Sequence, residues 1–168
     1  RLGLNPVAFE LEGDCVLCNN EVKDQWHALS CNSLMAKTTS AHDAVMRLLG
    51  RYATSNDIIN RLHLQNDGKL VPDGEFHFPR ETVLVDHSGV HSMASSNRDR
   101  VPGAAVKNRA RTKVNKYRDH ALAAQARFVP LIADRFGRLH GDFHKFIALI
   151  DANSLHCGTS SVTRMPQY

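Results

Sequence analysis

The chain has 168 residues, the size of one ordinary domain or of a core with a small appendage. Apolar residues make up 42% and charged residues 23%, close to globular averages, which excludes a wholly disordered chain. Net charge is a mild +4, and no apolar run approaches the roughly 20 residues of a bilayer-spanning helix, which excludes a helical membrane span.

Arg1 stands where a start Met would, and no signal-peptide pattern follows, so the expectation is a fragment of a longer protein. Residues 1–35 hold three of the four cysteines, in the pattern Cys15-x2-Cys18-x8-His27-x3-Cys31. This crowding is unlike the spread of a secreted disulfide scaffold and points to a metal site in a reducing compartment. Zinc takes four such ligands in a tetrahedron, and two thiolates two residues apart can come from one turn. All four positions are filled, so the expected site is structural. The bland alternative is a chance cluster of buried reduced cysteines. Cys157 lies outside the pattern and receives no role.

Ser40-Ala41-His42-Asp43 resembles a capping box and predicts a helix start. Ala41, Val45, Leu48, Leu49 and Tyr52 continue at helical spacing, and Gly50 weakens the end. His42 beside Asp43 is either a reactive pair or a surface His next to a first-turn acid favoured by the helix dipole. Residues 58–65 alternate as a strand, and Asn66-Asp67-Gly68 signals a turn. Lys69 to Phe78 reads as a second strand, bent or at an edge because of Pro72. Pro79-Arg80-Glu81 is a turn, and Thr82 to Asp86 a short buried third strand.

Residues 87–103, rich in Ser, Gly, Asn and His, predict a mobile loop. Ala104 to Ala126 is dense in strong helix formers. The window Arg98–Arg118 holds eight Lys or Arg against Asp99 alone, a local +7 that leaves −3 elsewhere. Such a belt suits a polyanion, although a solvated helix face carries the same signal. Phe128 to Ile132 predicts a fourth strand broken at Gly137, and Phe143, Phe146, Ile147 and Ile150 a last helix. The predicted architecture is a mixed α/β sandwich, one sheet with helices on its faces.

Two further groups could carry chemistry. Asp73, after Pro72, and Asp86, at a strand end, could reach one cation from neighbouring strands. Hard carboxylate oxygens with open water positions suit Mg²⁺. Alone, a Pro-Asp pair is more often only a turn. Glu75 and Glu81 lie near enough in sequence to add a ligand. Lys113-x2-Lys116-Tyr117 lies on the basic helix, where a lysine could stabilise a phosphorane's charge and its neighbours hold phosphates or stack on a base.

In this order, Cys-x2-Cys, His-x3-Cys, His-Asp opening a helix, Pro-Asp-x12-Asp and Lys-x2-Lys-Tyr, the sequence resembles the restriction-like endonuclease domain of site-specific non-LTR retrotransposons. The resemblance runs from about Cys15 to about Ile150, and Phe128-Val129-Pro130-Leu131-Ile132 with Phe136-Gly137 fits the strand after the family's basic helix. It implies a PD-(D/E)XK nuclease core over residues 36–152, a mixed central sheet flanked by helices, after a CCHC zinc knuckle over 1–35 and before a tail over 153–168. It implies that Asp73 and Asp86 bind the catalytic Mg²⁺ or Mn²⁺, and that Cys15, Cys18, His27 and Cys31 bind structural Zn²⁺. The superfamily's lysine two positions after the second acid is missing, since Asp86 is followed by His87 and Ser88. The family commonly supplies it from the next helix, which makes Lys113 the best match and Lys116 the second, with Tyr117 beside them. Ala41 and Val71 stand where the family usually has basic residues. The implied activity is nicking of chromosomal target DNA, in the nucleus, to prime reverse transcription, with the polyprotein's reverse transcriptase domain and the element RNA as partners and no membrane. Two other classes stay open: a zinc-stabilised nucleic-acid-binding module without catalysis, and a protein-interaction zinc domain.

Overall fold

A computed structural model describes residues 13–22, 27, 31, 33, 35–64, 71–92, 97 and 101–157. It is an α/β fold with a four-stranded mixed sheet and, among the described residues, three helices. The order is α1 (Met35–Ser55), β1 (Ile59–Leu62), β2 (Gly74–His77), β3 (Thr82–Val90), α2 (Ala104–Ala123), β4 (Arg127–Asp134) and α3 (Gly141–Cys157). The strands lie in the order β1-β2-β3-β4; the first two pairings are antiparallel and β3 pairs with β4 in parallel. The parallel pair needs a crossover, and α2 supplies it. None of these helices is long and apolar enough to cross a membrane.

One face of the sheet carries the main core. Val83 and Val85 of β3 and Val129 and Leu131 of β4 point to it, as period-two alternation requires. Met46, Leu49 and Ala53 of α1 and Phe143, Phe146 and Ile150 of α3 cover it. Phe146 is 1% exposed and meets Phe76 edge-on at 5.0 Å between ring centroids. The other face carries α2, whose Ala105, Val106 and Ala110 pack on Val90 and Ile132. Small residues let this polar helix approach the sheet closely, so its lysines and arginines are presented beside the strands.

Several predicted boundaries moved. The helix predicted to start at Ser40 is already helical at Met35, so Asp43 is not a first-turn acid and the capping box is not formed. Its buried stripe is Met46, Leu49 and Ala53, while Leu48 is 60% exposed. The helix runs on through Gly50, where a Cβ would lie 2.9 Å from Asn60 Oδ1 and 3.1 Å from Leu62 Cδ1; the glycine is a close-approach point to β1. β3 runs on through Val90, so residues 87–90 are strand where a loop was predicted. His87 and Ser88 are buried although polar, sustained by pairing with Leu131 and Ile132 of β4. β1 and β2 are shorter than predicted, with residues 65–70 outside the described residues. α3 continues to Cys157, across the tail boundary expected at residue 153.

Candidate metal and nucleic-acid site

Pro72 is fully buried and begins the bend that leads into β2. The carbonyl of Asp73 accepts the His63 N–H at 2.8 Å, which anchors the bend to the end of β1. β2 pairs Gly74 with Val85, so the register one step earlier sets Asp73 opposite Asp86. Facing residues of an antiparallel pair have Cβ atoms roughly 5 Å apart. The Pro-Asp bend and the third strand thus bring the two acids together from 13 positions apart in the chain. Asp73 is 8% and Asp86 3% exposed.

Two buried carboxylates require compensating charge. Lys113 reaches across from α2 and sets its Nζ 2.5 Å from Asp86 Oδ2. That contact is an ion pair, and Oδ2 accepts no other hydrogen bond among the described residues. Asp73 Oδ2 is held from the other side by His42 Nε2 at 2.8 Å and by the His87 backbone N–H at 2.7 Å. His42 Nδ1 lies 3.2 Å from Asp43 Oδ1, which makes an Asp43–His42–Asp73 chain from α1 into the site. The hydrogen bond to Asp73 raises the His42 pKa to about 9 against the opposing effect of burial. His87 lies beside it, ring centroids 5.1 Å apart. Burial, then the charge of His42, lowers the His87 pKa to about 4. His87 Nδ1 is buried with no hydrogen-bond partner among the described residues.

Of the two candidate lysines, only Lys113 forms an ion pair with an acid of the site among the described residues. Lys116 Nζ donates to Tyr117 Oη at 3.1 Å and lies 4.7 Å from its ring centroid. Tyr117 Oη donates to the Val71 carbonyl at 3.3 Å, next to the Pro-Asp bend. Burial, and then hydrogen bonding to Asp86, raises the phenol's pKa. Its ring packs on Phe128, centroids 4.9 Å apart. Glu81 is drawn away by Arg127, at 2.7 Å, and Glu75 lies 3.5 Å from His77 Nε2.

His87 carried no sequence signal beyond its place after Asp86. His42 was singled out with Asp43, yet its main partner is Asp73, 31 residues later.

The knuckle residues form a separate cluster. The N–H of Cys15 bonds the Asn20 carbonyl and that of Asn19 returns to the Cys15 carbonyl, closing a tight turn. Cys15, Cys18, His27 and Cys31 each offer a ligand atom, all within 4.8 Å of one another. Cys15 Sγ and Cys31 Sγ are 3.9 Å apart, and Cys18 Sγ and His27 Nε2 3.3 Å. A tetrahedron with Zn–S bonds of about 2.3 Å sets its sulfurs about 3.8 Å apart, so the group could hold a zinc ion. Backbone N–H groups of Leu17 and Cys18 lower the Cys15 thiol's pKa to about 6, which favours the thiolate a metal needs.

No protein-family model matches the chain, and no curated protein matches it.

Proposed function

We propose that the chain is a metal-dependent DNA endonuclease, the restriction-like nuclease domain of a non-LTR retroelement polyprotein with a PD-(D/E)XK core. The observation that carries this is the meeting of Asp73, Asp86 and Lys113, brought from a Pro-Asp bend, a central strand and a separate basic helix. Asp73 and Asp86 would hold Mg²⁺ or Mn²⁺; two hard carboxylates fit such an ion, which would share Asp86 with Lys113. When bound, the ion supplies Lewis acidity and a more acidic water. Lys113 stabilises negative charge gathering on the phosphate during in-line attack. Lys116 and Tyr117 flank the site as phosphate or base contacts. His42 and the His87 N–H fix the Asp73 carboxylate. Cleavage that leaves a 3′ hydroxyl would prime reverse transcription of the element RNA by a neighbouring polymerase domain, on chromosomal DNA in the nucleus. Zinc in the Cys15, Cys18, His27, Cys31 group would brace the knuckle beside the nuclease.

A second reading is a zinc-stabilised nucleic-acid-binding module. It is favoured by one observation: each acid already has a protein cation, His42 for Asp73 and Lys113 for Asp86. The deciding experiment compares Asp73→Ala and Asp86→Ala with the wild type. An endonuclease loses cleavage in both variants while DNA binding survives. A binding module shows binding without cleavage in all three.

A further inference from the structure

α2 lies over β3 in a regular ladder. Lys113 meets Asp86, and one helical turn earlier Arg109 Nε donates to Ser88 Oγ at 2.9 Å. One turn later Tyr117 covers Phe128, the β4 partner of Leu84. Four helical residues advance about 6 Å and two strand residues about 6.6 Å, so the rungs stay in step. Ser88 is buried and stands two positions after Asp86, on the same face of β3.

We propose that Arg109 is a phosphate-binding residue of the site, with Ser88 as its positioning partner. Its ligand is a backbone phosphate neighbouring the one beside Asp73 and Asp86. A guanidinium has five N–H donors, and Ser88 occupies only that on Nε. The fork of terminal nitrogens has no other partner among the described residues, and the residue is exposed overall. A guanidinium fixed at one nitrogen and open at the other two suits bidentate capture of phosphate oxygens, with less side-chain freedom left to lose. Arg111, two positions on, points to another side of the helix and serves as an internal control of equal charge.

The substrate's identity as DNA rests on the endonuclease reading, so the test measures binding separately from cleavage. Binding of the full chain to a short duplex is titrated against salt, with no Mg²⁺ or Mn²⁺ added. Arg109→Gln should weaken binding about tenfold and lower the salt slope by about one. Arg111→Gln should leave both near the wild type. Arg109→Lys and Ser88→Ala keep the charge, so the slope should hold while affinity falls several-fold; Arg109→Lys carries the test if Arg109→Gln does not fold. Equal losses in Arg109→Gln and Arg111→Gln, or unchanged affinity in Arg109→Lys and Ser88→Ala, would overturn the assignment. Nicking is scored separately with Mg²⁺: the predicted binding losses in a chain that never nicks would sustain the phosphate site and remove the endonuclease reading. Normal nicking and binding in Arg109→Gln would do the reverse.

Discussion

Lys113 Nζ lies 2.5 Å from Asp86 Oδ2, although they stand 27 positions apart and on different elements. Lys113 comes from the crossover helix, while His87 and Ser88, next along the strand, make other contacts. The His87 N–H binds Asp73, and Ser88 Oγ accepts from Arg109. Replacing Lys113 with Met should reduce nicking about 100- to 1000-fold, the range for removing one preorganised charge donor. Lys116→Met should cost no more than about tenfold, since that ammonium binds Tyr117 Oη and no acid of the site. Single-turnover nicking on labelled duplex measures both. Comparable losses in the two variants would refute the distinction.

The two site histidines titrate in opposite directions and should leave opposite marks on stability. His42 is held at about 9 in the folded chain, above the ordinary histidine value of about 6.5. Its contribution is full below about pH 6.5 and is lost as pH rises through about 9. His87 is lowered to about 4, so its contribution is full above about pH 6.5 and is lost as pH falls towards 4. Each limb should be of order 1 kcal/mol, allowing for solvent screening. Thermal melts without added Mg²⁺ or Mn²⁺ should show His42→Gln flattening the alkaline limb and His87→Gln the acid limb. An alkaline limb unchanged in His42→Gln would show that the Asp73 contact does not stabilise the fold.

Zinc should be bound at one ion per chain, through the Cys15, Cys18, His27 and Cys31 group. Cys31→Ser should lose it, and Co²⁺ substitution in the wild type should give the thiolate charge-transfer absorption of a tetrahedral site. The sheet core shares no residue with this cluster, so the Cys31→Ser melt should retain a cooperative transition from the α/β unit. Full zinc occupancy in Cys31→Ser would exclude that ligand set.

Tyr117→Phe should keep the ring against Phe128 and lose the hydroxyl that bonds Val71. The expected cost is about 1 kcal/mol in stability, close to one hydrogen bond. A larger loss, measured by urea unfolding, would mean that the hydroxyl's contacts with Lys116 and Asp86 also stabilise the fold.

The element order was legible because its signals are local. Val83 and Val85 alternate, Phe143, Phe146 and Ile150 follow a helical stripe, and the alanines of α2 mark a helix. The ends were less legible because they depend on partners. The strand beyond Asp86 reads as a polar loop in isolation, yet pairing with β4 carries it to Val90. The helix begins at Met35, just after Asn32 and Ser33, both N-cap types, so its start signal competes in sequence with the one at Ser40. Spacing alone leaves Asp73 a turn residue and Lys113 one surface lysine among several; the resemblance singles out Asp73, Asp86 and Lys113, and the ion pair across α2 and β3 separates Lys113 from Lys116. His87 and Arg109 were not singled out, since their roles depend on a backbone N–H and a serine hydroxyl brought near by the fold.

The central claim is that Asp73 and Asp86 form a metal-dependent phosphodiester-cleaving centre. Supercoiled plasmid incubated with the wild type, Asp73→Ala or Asp86→Asn, each with Mg²⁺, Mn²⁺ or EDTA, tests it most directly. The account predicts nicked circles only from the wild type with metal, and nicks that a DNA ligase reseals because they carry a 3′ hydroxyl and a 5′ phosphate. Nicking that persists in EDTA or in Asp73→Ala, or DNA binding by the wild type with no nicking under any metal, would contradict it.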